Sequence, residues 1–470
     1  MTTPSPTPAA APSPTVVEQE AADRLVLRGR VHQTLHLARD AEEVHAIVSV
    51  DAEGAGTAVP DDTPEAAEVI VIDTSTSTTH PAGTDRAIAE AATAAVREMR
   101  DGVHFAVLAG TDVVRRVWPT DGGLVPADAT SRAQAISALE VTKVGGGTRI
   151  GRWLRAAGEL LADHPGAIRH TILLTDGRNE HEERATLDLA IEDTKDVMNC
   201  DCRGVGDLWR FDELHAVSSA MHGTTRRVAD ASGLAEDFRE MMAASMAKEV
   251  PEVALRLWTP VGARVRLVSQ SAPEAVDLTA RRTDVDEQVG LYPTGAWGGE
   301  QRDFHLAIDV PSGHPGQTRH AARVDFVRIW PDDSTTTLDQ QFLRRLPTGG
   351  EDGKDQAWIT ATWTDDPDID TGRAEQVQRA ETENRIAEKI RAAMSAVGRG
   401  PAAEAEAEDL LRVAREWAVG IGQDELVRQI DELFDPETDT YRPGGPSRAQ
   451  ALDLEIITTW RPVQTRDTEG

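Results

Sequence analysis

The sequence predicts an α/β fold: a doubly wound, mostly parallel sheet, inserted in or flanked by a β-sandwich and followed by a small C-terminal helical bundle. Three observations predict it. Over residues 64–248, continuous apolar runs alternate with amphipathic segments, the texture of buried parallel strands joined by crossover helices. On both sides of that stretch the apolar period falls to two, as in strands with one buried face. Over residues 366–436 the period becomes helical. A chain of 470 residues exceeds one ordinary domain, so a multi-unit reading fits its length.

Residues 1–23 are rich in Pro, Thr, Ala and Ser and lack the basic start and apolar core of a signal peptide. They read as a disordered leader, and the chain as cytoplasmic. Residues 24–63 supply two antiparallel strands of the sandwich. Leu35 and Leu37 alternate in the first, and Val44, Ala46, Val48 and Val50 in the second. Residues 51–63 form a connector.

The α/β unit opens with the buried strand Val69, Ile70, Val71 and Ile72. A helix over 85–100 follows, with Ile88, Ala91, Ala92, Ala95, Val96 and Met99 on one face. The next strand is 103–109, with 113–118 pairing at an edge. Helices at 131–141 and 150–162 precede a strand at 170–174. Then come a helix at 183–198, an extended segment at 203–205, a helix at 211–220, a strand at 224–228 and a closing helix at 233–247.

The sandwich resumes over 249–365. Its apolar residues alternate at Val253, Leu255 and Leu257, at Val265 and Leu267, and at Leu306, Ile308 and Val310. Further strands fall at 322–330 and 357–363. Helices at 376–397, 403–419 and 424–434 make the bundle, around Ile386, Ile390, Leu410, Leu411, Trp417, Leu426, Ile430 and Leu433. The last unit, 437–470, holds a strand at 452–460 that returns to the sandwich, then a polar tail.

A formal charge of −31, from 49 basic and 80 acidic residues, repels phosphate backbones and anionic lipid. Nucleic-acid and membrane-surface partners are therefore not expected, and no apolar run is long enough to span a bilayer. Cys200 and Cys202 stand one residue apart, where a bridge would be strained, and read as two reduced thiols beside a buried strand. The histidines, among them His32, His36, His45, His104, His164, His170, His181, His215 and His222, are scattered and read as surface residues or edge-strand fillers. Glu404, Glu406, Glu408 and Asp409 read as the solvated face of a helix.

Three loops carry oxygen donors at the carboxyl ends of buried strands, where ligands bind in doubly wound sheets. Asp73, Ser75 and Ser77 present one carboxylate and two hydroxyls at alternate positions. Gly145, Gly146 and Gly147 let the backbone approach closely before Thr148 offers a hydroxyl. Thr175, Asp176 and Gly177 place a second carboxylate at a strand end. Such donors suit a hard cation, Mg²⁺ above all.

This constellation resembles the metal-ion-dependent adhesion site of the von Willebrand factor A domain family, with its Rossmann-like sheet. The resemblance covers residues 65–248. The family's D-x-S-x-S is matched by Asp73, Ser75 and Ser77, its Thr by Thr148 and its later Asp by Asp176. Thr76 stands where many members carry Gly, and His80 where apolar residues are more usual. The resemblance implies Mg²⁺, or another divalent cation such as Mn²⁺ or Ca²⁺. It also implies a protein partner that presents an Asp or Glu to the metal, no catalysis, and a last helix able to shift when the site is filled.

Rival readings have less support. The glycines of 145–151 fit neither the dinucleotide nor the P-loop spacing, and no nucleophile elbow is present. A metal-dependent hydrolase, or a subunit of an ATP-driven chelatase-like machine, would need a general base, with Glu180 or His181 as the candidates. A self-assembling scaffold would fill the site of one copy with an acidic residue of another.

Overall fold

All eight residues of strand Ala66–Asp73 are buried, because the strand lies at the centre of a sheet covered on both faces. In the computed structural model, which describes residues 25–54, 65–79, 83–228, 231–346, 351–442 and 444–461, three sheets are present. The expected leader, most of the connector, His80 and the tail beyond 461 lie outside the described residues.

The first sheet runs in the order Thr225–Val228, Asn199–Val205, Ile168–Thr175, Ala66–Asp73, His104–Gly110, Val114–Trp118. The first five strands are parallel. Val114–Trp118 and Val125–Pro126 join His104–Gly110 antiparallel. Alternation along the central strand divides the core. Ile70 and Ile72 pack with residues of helices Thr84–Glu98, Ala129–Glu140 and Ala231–Met246. Val69 and Val71 pack with residues of Ile150–Ala162, Arg184–Thr194 and Phe211–Ala220. Trp153 is fully buried on that second face, and its indole donates to the Thr111 carbonyl at 2.6 Å. A Cβ on Gly110 would stand 2.4 Å from the Trp153 ring, so glycine is what lets the indole lie against the strand. Burial of such a side chain contributes about 1.5–3 kcal/mol or more.

The other two sheets form the sandwich around a shared core that includes Val48, Leu306 and Phe342 from one sheet and Leu255, Phe326 and Trp363 from the other. Its strands come from both sides of the α/β unit. Glu43–Glu53 pairs with Val26–Gln33 and with Gln301–Asp309, so the unit is an insertion into the sandwich. Helix Ala231–Met246 reaches strand Lys248–Trp258 through Ala247 alone. Helices Glu375–Ala396, Pro401–Gly420 and Asp424–Asp431 make the bundle, with Ile386, Ile390, Leu411, Leu426, Ile430 and Leu433 buried and Leu410 and Trp417 packed partly buried against them. No helix of the described residues is long and apolar enough to cross a membrane. Cys200 and Cys202 are buried free thiols.

Some expectations are corrected. The strand expected at 452–460 is the helix Arg448–Ile457, started by a capping box between Ser447 and Gln450. Its apolar residues alternate because the helix is buried on two sides: Leu452 joins the core of the α/β unit and Leu454 that of the bundle. The short stretch Thr459, Trp460 and Arg461 returns to the sandwich, beside Pro273, Glu274 and Ala275. The first sandwich strand is Val26–Gln33; Leu35 lies beyond it, and Leu37 pairs in the opposite sheet. Two strands without a clear apolar signal, Val289–Gly298 and Asp339–Arg345, complete the sandwich.

The histidines are not all surface or edge residues. His170 is buried between strands, with Nδ1 2.9 Å from both Glu68 oxygens and Nε2 3.0 Å from Asp201 Oδ2. Burial opposes its charge, but the two carboxylates prevail and push its pKa up to about 10.

Candidate metal centre

The central strand ends at Asp73, and the following loop is tied to its surroundings before any ligand is considered. Thr74 N donates to the Gly110 carbonyl at 2.9 Å, anchoring the loop to the neighbouring strand end. Ser75 N donates to Asp73 Oδ1 at 2.8 Å, an Asx turn that reverses the chain. A short 3₁₀ turn, Thr76–Thr79, then brings Ser77 Oγ to 2.8 Å from Ser75 Oγ.

The glycine loop is sewn to this first loop. Gly145 N donates to the Thr74 carbonyl at 2.8 Å, and Thr76 N donates to the Gly146 carbonyl at 3.0 Å. Thr76 Oγ1 donates to the same carbonyl at 3.2 Å, so the residue that departs from the usual Gly adds a tether. Gly146 has φ of 103°, and a Cβ there would meet Asp112 Oδ1 at 2.4 Å. A Cβ on Gly147 would meet the His181 ring at 2.4 Å. His181 Nδ1 accepts from Thr148 N at 3.2 Å and so fastens the residue whose hydroxyl matters.

The third loop closes the site. Thr175 Oγ1 donates to Asp73 Oδ2 at 2.6 Å, and Ser77 Oγ donates to Asp176 Oδ1 at 2.9 Å. A Cβ on Gly177 would stand 2.9 Å from Ser77 Oγ and 3.5 Å from Thr148 Oγ1, which places both hydroxyls beside this turn. Asp73, Ser75, Ser77, Thr148 and Asp176 are thus brought together, all but Ser77 nearly fully buried. The cavity above them, about 310 Å³, is lined by Ser75, Ser77 and Thr148 and by Glu180 and His181.

The electrostatics are unbalanced. Burial, and then the Asp73 charge, push the Asp176 carboxyl up to about 7. Burial also raises Asp73, against hydrogen bonds from Ser75 and Thr175. Asp176 Oδ2 is buried without a hydrogen-bond partner. Two buried carboxylates, one of them with an orphaned oxygen, beneath three hydroxyls that line one cavity are an oxygen-only donor set suited to a hard divalent cation. The residues present fit such an ion.

Sequence reasoning missed the supports. Thr175, expected only to end a strand, holds Asp73. Asn179 Oδ1 accepts from Ile150 N at 2.9 Å and Glu182 from Gly151 N at 2.7 Å, so the third loop caps the helix that follows Thr148. The acidic and amide side chains just after Asp176 were the available signal.

Comparison with known proteins bears on the fold. The family model of the von Willebrand factor type A domain matches residues 67–226. The solved structure of a von Willebrand factor type A protein from Catenulispora acidiphila is 36% identical, with a TM-score of 0.83 over 94% of this chain and 97% of that one. The ArnB paralog VWA2 from Sulfolobus acidocaldarius, 11% identical with a TM-score of 0.56 over 92% of this chain and 97% of its own, shares the fold. An uncharacterized protein of Synechocystis sp. is 28% identical over 164 residues, which are 34% of this chain and 39% of the length of that relative.

Proposed function

The chain belongs to the von Willebrand factor type A family, and on that premise we propose that it is a Mg²⁺-dependent protein-interaction module that captures an acidic residue of a partner protein. The observation that carries this reading is the orphaned Asp176 Oδ2, buried beside a second carboxylate and three convergent hydroxyls. Ser75, Ser77 and Thr148 would hold the ion through their hydroxyls, and Asp73 and Asp176 directly or through water. A bound Mg²⁺ supplies a positive centre with a coordination position for a carboxylate from outside. With few direct carboxylate ligands, that centre stays electron-poor and favours the partner's Asp or Glu, so metal and partner binding are coupled. Mn²⁺ or Ca²⁺ would serve the same donors.

The chain's own residues prepare the site. Thr175 and Ser75 N hold Asp73 in one orientation. His181 and the Gly146 carbonyl fix the Thr148 and Thr76 loops. Glu180 and His181 line the cavity, which is what a hydrolase would ask of them. His181 Nδ1, however, already accepts the Thr148 N–H, so that nitrogen is spent on positioning rather than on a general base.

The test has two arms. Mn²⁺ titration followed by electron paramagnetic resonance should give one site per chain, lost in Asp73→Ala. Affinity capture from native extract should yield a discrete partner with Mg²⁺ and lose it with chelator or with Asp73→Ala. The same proteins in every lane would overturn the interaction reading.

A further inference from the structure

A second set of side chains with metal-ligand chemistry lies on the outer face of one sandwich sheet. The core of its first sheet takes Val44, Ala46 and Val48 from one strand and Phe304, Leu306 and Ile308 from the next. The intervening His45, Ile47 and His305 therefore point to the outer face. Helix Glu375–Ala396 packs there, with Val377 and Ala380 against Ile47. At this junction His45 Nδ1 lies 3.0 Å from His305 Nε2 and 3.5 Å from Glu381 Oε1. The ligating atoms of all three residues fall within 4.8 Å of one another.

We propose that His45, His305 and Glu381 form a zinc site that clamps the helical bundle to the outer face of the sandwich. Ligands about 2.0–2.1 Å from a tetrahedral zinc stand roughly 3.3 Å apart, and the spacings of 3.0 and 3.5 Å bracket that value. The donor set is two imidazoles and a carboxylate, which selects zinc over the hard cations suited to the oxygen-only site. His45 also carries the support such a ligand needs. Its other nitrogen, Nε2, lies 3.0 Å from Glu43 Oε2, outside hydrogen-bond geometry, and a carboxylate there is placed to orient the ring once it binds metal. Arg373 pairs with Glu43, at 3.1 Å, and with Glu381 through the same Oε1 that faces His45, so that oxygen is shared between the guanidinium and the candidate site.

A proton shared between the two rings would account for the 3.0 Å contact without an ion. It would not by itself draw Glu381 Oε1 to within 3.5 Å of the same nitrogen.

The experiment uses the full chain, stripped with chelator, with Mg²⁺ in excess to occupy oxygen-only donors. Co²⁺ is added alone and followed by visible absorption, then displaced by Zn²⁺. One Co²⁺ per chain with the intense bands of a four-coordinate nitrogen–oxygen set is expected, and Zn²⁺ should abolish them. His305→Gln should lose the bands. Glu381→Gln, on a half-buried helix position, should weaken Zn²⁺ at least about tenfold, and Glu43→Gln about tenfold while keeping the bands. Circular dichroism checks each fold; should His305→Gln fail to fold, Glu381→Gln decides. Failure of the stripped chain to take up Co²⁺, or an unchanged spectrum and affinity in Glu381→Gln and His45→Gln, overturns the site.

Discussion

Ser77 Oγ donates to Asp176 Oδ1 at 2.9 Å, although 99 residues of chain separate the two. The bond satisfies one Asp176 oxygen and leaves the other buried and unpartnered. The site is therefore held together by side chains that would have to reorganise little on taking up a cation.

Asp176→Asn keeps the shape of that side chain and removes its charge. Divalent-cation affinity should fall at least about tenfold, because a charged oxygen donor becomes a neutral amide. Without metal, the variant should melt higher than the parent, because one of two neighbouring buried carboxylates has gone. Mn²⁺ titration and thermal melts in chelator read the two effects.

Stability without metal should fall as pH rises. The unfolded chain releases the Asp176 proton near pH 3.8, whereas the folded chain holds it to about 7. Between those values folding takes up a proton, so the contribution is fully present below pH 3.8 and is lost as pH approaches 7. The loss should be on the order of 2–3 kcal/mol, reduced by solvent at the cavity mouth. Saturating Mg²⁺ should restore most of it near pH 7. Denaturant midpoints from pH 4.5 to 7.5, with Mg²⁺ and with chelator, check the sign.

Gly146→Ala should damage the site more than the fold. A side chain there needs a left-handed backbone and would lie 2.4 Å from Asp112 Oδ1. The strain, on the order of 1–3 kcal/mol, would shift the loop whose carbonyl receives Thr76. Weakened Mn²⁺ binding with a melting temperature only a few degrees lower is the expected pair of results.

Arg227 grips Asp453 through two bonds of 2.7 and 2.5 Å, joining the edge of the α/β sheet to helix Arg448–Ile457. Asp453→Ala should cost about 1–3 kcal/mol, since the Arg227 guanidinium is largely buried. Hydrogen exchange in residues 448–457 should accelerate first, ahead of the central sheet.

Legibility followed the range of each signal. Val69 to Ile72 are buried on both faces and announced a parallel strand by themselves, and all five candidate ligands sit beside local loop signals. Val289–Gly298 was hidden because it carries Gly290, Pro293, Gly295 and Gly298, and Gly295 has φ of 77° opposite an irregular stretch of Lys248–Trp258. Asp339–Arg345 has only Gln340 and Phe342 fully buried, and its parallel pairing with Val26–Gln33 depends on a strand more than 300 residues away. Helix Arg448–Ile457 imitated a strand because two different cores share its sides. The buried contacts of His170 and His305 come from pairing between distant strands and leave no local trace.

The insertion has a consequence for synthesis. His45 leaves the ribosome 260 residues before His305, on the strand beside it. At about 5–20 residues per second, the N-terminal hairpin waits roughly 10–50 s for its neighbour. During that interval the α/β unit emerges complete and free to fold, while the hairpin's apolar face and unpaired edge remain open to solvent. Nascent chains stalled near residue 250 should therefore engage holding chaperones through their earliest strands, and chains extended past residue 365 should release them.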